Sequence, residues 1–159
     1  MENNNVSIRE ACEEDISALV DLGEAFYKKS NFEEGGYDSP QLAYILTLGI
    51  YDENSVLLVA EIDDEVVGFV ACDIARYYTT FPVSHMFLFF VKEGYAKHQV
   101  GSKLVEAKDA IVKNKGCKYT YSSSSAGFDD QGHNDRGLEL MYSRLGYEPN
   151  GFFMRRTLK

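Results

Sequence analysis

The chain has 159 residues, 45% of them hydrophobic and 26% charged, and a net charge of −9. This is the composition of one globular domain spanning 1–159 with a core of its own, and it excludes a nucleic-acid surface, which needs a basic face to displace counterions. No apolar run reaches the roughly 18 residues that cross a bilayer, no opening stretch has the makeup of a signal peptide, and the scattered histidines and cysteines (Cys12, Cys72, Cys117) have no metal-ligand spacing, so a cytoplasmic, metal-free protein with buried free thiols is expected, without membrane or nucleic-acid partners.

Val6, Ile8 and Glu10 alternate with Ser7 and Arg9, the period of a half-buried strand over 5–11. Asp15, or Glu14 and Asp15 together, opens an amphipathic helix that ends near Lys29, with Ile16, Leu19, Val20, Gly23 and Phe26 on one stripe. The run SNFEEGGYD (30–38) is turn-rich and reads as a loop over the mouth of the domain. A second helix from about Pro40 to Ile50 has proline in its first turn and Leu42, Ile45, Leu46 and Gly49 on one face. Residues 55–77 read as a β-hairpin that turns at Asp63 and Asp64. After a loop with Pro82, SHMFLFFV (84–91) is apolar on both faces, as a covered central strand is.

A helix from about Gln99 to Lys115 turns Leu104, Val105, Ala107, Ile111 and Val112 inward. Lys115-Gly116-Cys117 ends it, and KYTYSSSS (118–125) follows as a strand running into a polar mouth. Asn134 or Asp135 caps a last helix with Leu138, Met141, Tyr142 and Leu145 on one side; Gly146 stops it, and two short strands about a Pro-Asn-Gly turn close the chain. This order predicts an α/β fold on a mixed, mostly antiparallel sheet of about six to seven strands flanked by about four helices, with one parallel pair where the helix at 99–115 crosses over.

The stretch FVKEGYAKHQVGSKLVEAK (90–108) carries the chemistry. Its helix begins with no acid in the first turn, although the helix dipole favours one there, and Lys97, His98 and Lys103 stand nearby. A helix start offers up to four N–H groups without helical partners. Aimed at one point, they make an anion site suited to pyrophosphate, with Gly101 and Ser102 leaving room for a bulky ligand. On these residues alone, a strand-to-helix loop that binds nothing is an equal reading.

V-K-E-G-Y-A-K-H-Q-V-G-S-K-L-V at 91–105 and M-Y-S-R-L-G-Y-E-P at 141–149, taken with the order of elements, resemble the GNAT superfamily of N-acetyltransferases. The likeness runs over nearly the whole chain, from VSIREA to FFMRRTL. The second segment is close to the family's last-helix ending, a Tyr followed by x-x-x-Gly-aromatic. The first departs from the family pattern of Arg or Gln, two residues, Gly, one residue, then Gly or Ala. Ala96, Gln99 and Gly101 occupy those positions, and only the last matches. The turn and the 30–38 loop also resemble those of GNAT-like proteins encoded by tailed phages.

The resemblance implies a GNAT fold and the transfer of an acetyl group from acetyl-CoA, a cosubstrate, to a primary amine of a small molecule or peptide, by direct attack in a ternary complex. Family members are commonly dimers, so a homodimer is among the expected assemblies. Residues Lys97, His98, Gln99, Val100, Gly101 and Ser102 would hold the pyrophosphate, with Lys97 or His98 standing in for the Arg or Gln that the family has where this chain has Ala96. The main chain of Phe89, Phe90 and Val91, exposed where strands 84–91 and 118–125 splay, would bind the pantetheine arm and offer one amide to the oxyanion. Asn134 would contact the same arm. Tyr142 would be the acid that protonates the departing thiolate.

His85 is the first candidate for the general base, imidazole being the side chain whose ordinary range lies near neutral pH; Glu24, Glu33 and Glu34 stand behind it. Tyr27, Phe32, Tyr37, Tyr77 and Tyr78 would line the acceptor slot, and Glu33 and Glu34 would suit a cationic amine. Plainer readings stand beside these: Tyr142 as core, Asn134 as a helix cap, His85 as a hydrogen-bonded interior histidine, the aromatics as loop packing. The alternative for the whole chain is a GNAT-fold CoA-binding or interaction module without turnover, favoured by Ala96 and Gln99 and opposed by Tyr142.

Overall fold

The computed structural model describes residues 5–28, 35–95, 98–122 and 136–151. The chain runs through β1 (Ser7–Glu10), a 3-10 turn (Glu13–Asp15), α1 (Ile16–Tyr27) and α2 (Ser39–Tyr51), then β2 (Ser55–Ile62), β3 (Glu65–Ala75) and β4 (Val83–Val91), and ends with α3 (Val100–Asn114), β5 (Tyr119–Ser122) and α4 (Arg136–Arg144). The strands lie in one sheet in chain order. β1 to β4 pair antiparallel, and β5 returns parallel to β4 after α3. That is the one parallel pair the sequence predicts.

The β2–β3 hairpin turns through Asp63 and Asp64, both left-handed with φ of 51° and 63°, the backbone a two-residue hairpin needs and one that aspartate tolerates. The described residues hold five strands, against the six to seven expected. Residues 147–151, expected to open the closing strand pair, carry no strand, and 152–159 lie outside the described residues.

Each face of the sheet has its own core. Val56, Leu58, Ala60, Val70, Cys72 and Met86 pack beneath Val100, Leu104 and Val112 of α3, with Phe89, Val91 and Tyr142 against them. On the other face Leu57, Val59, Phe69 and Ala71 meet Leu19 and Leu22 of α1 and Leu46 of α2, with Leu88 and Phe90 against them. The alternation along β2 divides one apolar run between both layers, and each fully buried aliphatic or aromatic side chain contributes about 1.5–3 kcal/mol of transfer free energy. In β4 the register slips by one residue: Ala71 faces Leu88 but Cys72 faces Met86, so Phe87 is the extra residue of a bulge and is left 43% exposed. The bulge re-aims the strand, so that Met86 and Phe89 point to the α3 face.

Three local expectations are corrected. Asp15 does not cap α1. Its carboxylate accepts the Cys12 N–H (2.8 Å) and is gripped bidentately by Arg9 (2.7 and 2.8 Å), so it closes the 3-10 turn instead. Cys12 is exposed and Cys117 partly so; only Cys72 is a buried thiol, because Cys12 stands on that acid-lined turn and not on an apolar face. Ile45 is 37% exposed, and Leu46 is the residue that α2 buries. Among the described residues, no helix is long and apolar enough to cross a membrane.

Candidate functional site

The start of α3 has no cap of its own. Gln99 stands in the left-handed region at φ 60°, without a side-chain cap hydrogen bond, and the first turn carries no acid. Lys103 N–H makes the first helical bond, to Gln99 O at 3.0 Å, and Ser102 Oγ donates to the same carbonyl at 3.0 Å. Among the described residues the amides of Val100, Gly101 and Ser102 have no acceptor, as expected for the first three residues of a helix. The left-handed Gln99 explains a pattern that sequence alone left as a mismatch. Its position holds glycine in the family motif, and a glutamine is strained there; its side chain is exposed.

His98 is already engaged. Its N–H donates to Tyr95 O at 3.0 Å, and its ring lies 6.1 Å from that of Tyr95. That amide is therefore spent within the chain, unlike the three of Val100, Gly101 and Ser102. Lys92 is likewise occupied, paired with Glu65, which also accepts the Tyr95 hydroxyl at 3.0 Å. Lys103 is the cation in the first turn of α3 with no ion pair among the described residues. Lys97 lies outside those residues.

Gly101 faces inward, into the packing between α3, β4 and α4. A Cβ there would stand 3.1 Å from Met141 Sδ of α4 and 3.1 Å from Phe89 Cζ of β4. The missing side chain lets the first turn of α3 settle onto β4 and α4, so a bulky residue at 101 would disturb packing before it met any anion.

β4 and β5 pair from Val83↔Tyr119 to Met86↔Ser122, while β4 continues against β3 to Val91. Beyond Met86 one edge of β4 has no strand partner among the described residues. Lys92 N–H donates to Val67 O at 2.8 Å, which turns its main chain toward β3. By alternation, Phe90 also points its main-chain groups at β3, whereas Phe89 and Val91 present theirs to the open edge. Of the three residues expected to offer backbone to a ligand, Phe90 therefore does not.

Tyr142 rises from α4 to the place where the β4–β5 pairing stops. Its hydroxyl lies 3.9 Å from Met86 Sδ, which Ser122 Oγ also approaches at 4.0 Å, and its ring centroid is 6.5 Å from that of Phe89. Burial pushes the phenol well above its usual range, with Ser122 acting in the opposite direction. Asn134 lies outside the described residues.

His85 precedes Met86, so its side chain projects on the opposite face of β4. It is half-buried, stacked on Tyr121 (5.0 Å, 15°), with Tyr77 edge-on at 6.0 Å. Among the described residues its side chain makes no hydrogen bond and is flanked by rings, unlike the hydrogen-bonded interior histidine of the plain reading. Tyr27 and Tyr37 pair with each other (5.6 Å), and the Tyr37 hydroxyl donates to Val20 O at 2.5 Å, which ties them to α1. Tyr78 is 96% exposed. Glu24 is paired with Lys28 at 3.0 Å on an exposed stretch; Phe32, Glu33 and Glu34 lie outside the described residues.

All three thiols are held above their ordinary range: Cys72 is pushed up to about 12 by burial, Cys12 by hydrogen bonds with Glu14 and Asp15, and Cys117 by burial. None is an activated nucleophile. Among the described residues no group of three metal-ligating side chains forms.

Sequence reasoning missed Ser122, Met86 and Met141 around the Tyr142 hydroxyl and the start of α3. It also missed Lys108, which is fully buried. One signal was present: Lys108 stands four residues after Leu104 and four before Val112, in the middle of the inward stripe.

A mixed sheet with a parallel last pair, an uncapped helix beginning beside that pair, and helices on both faces define an α/β fold of the acyl-CoA N-acyltransferase type. The model of the acetyltransferase (GNAT) domain matches residues 53–149, more than half of the chain, and the chain belongs to that family. No curated protein matches it. Solved structures do. An aminoglycoside acetyltransferase from an uncultured soil metagenomic sample, in complex with sisomicin, is 21% identical over 100% of both chains with a TM-score of 0.72. An aminoglycoside N-acetyltransferase in complex with CoA is 17% identical, covering 97% of this chain and 96% of its own, with a TM-score of 0.74. Glucosamine-6-phosphate N-acetyltransferase from Arabidopsis thaliana is 15% identical, covering 98% and 99%, with a TM-score of 0.74.

Proposed function

We propose that this chain transfers an acetyl group from acetyl-CoA to a primary amine by direct attack in a ternary complex. The observation that carries the reading is the convergence of three elements: the first turn of α3 at Gly101, the open edge of β4 at Phe89, and α4 at Met141 and Tyr142 meet within van der Waals contact. The solved aminoglycoside N-acetyltransferase holding CoA supports the choice of cosubstrate.

In this reading the amides of Val100, Gly101 and Ser102 hold the pyrophosphate, and the main chain of Phe89 and Val91 binds the pantetheine arm as a strand would. An amide on that edge holds the oxyanion; removing such a donor typically costs about 2.7–4 kcal/mol. His85 and Tyr142 stand on opposite faces of β4, which suits a nucleophile arriving from one side and a leaving group departing to the other. The amine nitrogen forms a bond to the thioester carbon. The C–S bond then breaks and the thiolate takes the Tyr142 proton; of the two protons the ammonium gives up in becoming an amide, one goes to His85 or to water before attack and the other restores the Tyr142 phenol. Burial keeps the Tyr142 phenol protonated, and a thiolate in the same dry space is raised too, so the transfer is less uphill than the phenol's own shift suggests. The shifted thiols favour direct attack over an acyl-enzyme.

The acceptor is proposed only as a small-molecule or peptide amine. The net charge of −9 and the rings of Tyr77, His85 and Tyr121 favour a cationic one.

Incubation with labelled acetyl-CoA and a panel of amines, followed by Tyr142→Phe, tests the proposal. Tyr142→Phe should lower kcat by about 10²–10³-fold with little change in acetyl-CoA affinity, the range of a positioned acid. Because the phenol's pKa is raised, the kcat–pH profile should show no falling limb from Tyr142 below about pH 10. Binding of acetyl-CoA with no turnover on any amine would instead select the module without catalysis.

A further inference from the structure

Lys108 is the most deeply buried charge among the described residues, 0% exposed in the middle of α3. Its three ammonium protons match three acceptors: Thr120 Oγ1 at 2.8 Å, the Tyr147 hydroxyl at 2.8 Å, and Asp109 Oδ1 at 2.5 Å. Two of these belong to separate elements around the candidate acid. Thr120 lies on β5, where its hydroxyl also takes the Ser84 Oγ–H bond at 2.7 Å, across the parallel pair. Tyr147 lies in the turn after α4 and donates in its own right to Asp109 at 2.8 Å.

Both elements lead to Tyr142. Ser122, two residues beyond Thr120 on the same short strand, directs its Oγ to Met86 Sδ at 4.0 Å, the atom that the Tyr142 hydroxyl approaches at 3.9 Å. At the other end, Tyr147 packs its ring 5.0 Å from that of Tyr142 and donates its N–H to Tyr142 O at 2.9 Å, with Gly146 turning the chain at φ 84°. The strand beside the hydroxyl and the support of the ring are thus referenced to one ammonium. A buried ion pair is a weak source of stability, often replaceable by apolar side chains without loss. What this one supplies is a fixed distance between β5 and the end of α4.

We infer that Lys108 is a positioning residue for Tyr142, setting through Thr120 and Tyr147 where the phenol stands at the end of the β4–β5 pairing. The catalytic part of this inference rests on the reading of Tyr142 as the acid; the positioning part does not. Lys108→Met, close in shape and uncharged, should remain folded with acetyl-CoA affinity near the parent's, and should lower kcat by about 10- to 100-fold, the scale of a misplaced catalytic group.

The deciding measurement is a double-mutant cycle. Placed in Tyr142→Phe, Lys108→Met should cost less than about twofold further, because its effect passes through the missing phenol. An equal loss in both backgrounds, or a folded Lys108→Met with unchanged kcat, overturns the inference. Tyr147→Phe serves as a second variant should Lys108→Met fail to fold, and should show the same dependence on Tyr142. Independently of turnover, the ring resonance of Tyr142 in protein labelled at tyrosine Cζ, assigned by its loss in Tyr142→Phe, should move in Lys108→Met and stay put in Lys113→Met, an exposed lysine of the same helix. An unmoved resonance in Lys108→Met overturns the positioning role even if the parent acetylates nothing. Absent turnover with a moved resonance overturns only the acid reading.

Discussion

The starts of α2 and α3 treat the same physical problem in opposite ways. At α2, Asp38 turns its carboxylate onto the Gln41 N–H at 2.9 Å and Pro40 occupies the first turn, removing one donor that would lack a partner. The 3-10 turn before α1 is closed still more firmly, by Asp15 with Arg9 behind it. At α3 there is no carboxylate, no proline and no side-chain cap, and Gln99 is held left-handed to bring the turn about. Where a chain supplies its own anion to a helix start, that start is structural. Where it withholds one, beside the edge of β4 that is open past Met86 among the described residues, the proposed function has a ligand supply the anion.

Moving a charge between these starts is the sharpest way to break the comparison. Ser102→Asp would give α3 the acid it lacks. A first-turn acid favours the helix dipole but repels a diphosphate, so the melting temperature should hold or rise while the CoA dissociation constant rises about 10- to 100-fold. An unchanged constant by titration calorimetry would move the pyrophosphate away from α3. Gly101 is the wrong place for this test, because Phe89 and Met141 fill the space a side chain would need.

The Asp15 closure should appear in the pH dependence of stability. The Arg9 guanidinium holds that carboxyl at about 2, below its ordinary 3.8. A lowered folded value stabilises above the unfolded one and is lost as pH falls through the folded one. Chemical denaturation between pH 5 and 2 should therefore show a loss of about 1–2 kcal/mol that is absent from Asp15→Asn. A parallel pair of curves would mean that Arg9 contributes nothing through this carboxylate.

Asp38→Ala should cost about 1 kcal/mol, the ordinary value of a helix cap, and leave CoA affinity unchanged. Loss of CoA affinity there would end the distinction between a structural start and a binding one. The smallest effect is expected at Gln99. Replacing it by Gly removes the strain of a left-handed glutamine and should stabilise by about 0.5–1 kcal/mol with CoA binding retained; a loss of stability would mean that the glutamine side chain does more than fill the position.

Much of the fold was legible because its signals are local. The two aspartates of the β2–β3 turn, the stripes of α1 and α3, and Gly146 after α4 depend on neighbours within a few residues. The absence of a strand over 147–151 was not, because pairing there needs a sheet partner that local pattern does not specify. Within the candidate site, the start of α3 could be proposed from its missing acid, and Tyr142 from its resemblance to the family's last-helix ending. The difference between Phe90 and its neighbours Phe89 and Val91 could not, since it depends on a bulge at Phe87 and on which strand Lys92 faces. The meaning of Gln99 at a family glycine position came only with its φ angle.

By itself, then, the sequence determined which segments become helices and strands, which faces turn apolar, and which helix start lacks an acid, because each follows from periodicity and short-range backbone chemistry. Only the tertiary structure decided that Lys108 enters the core, that Ser122 and Tyr147 meet Tyr142 from two elements, and that Gly101 is a packing contact. Those are contacts between distant residues, set by sheet register and helix docking, and no local pattern encodes a distance across the fold.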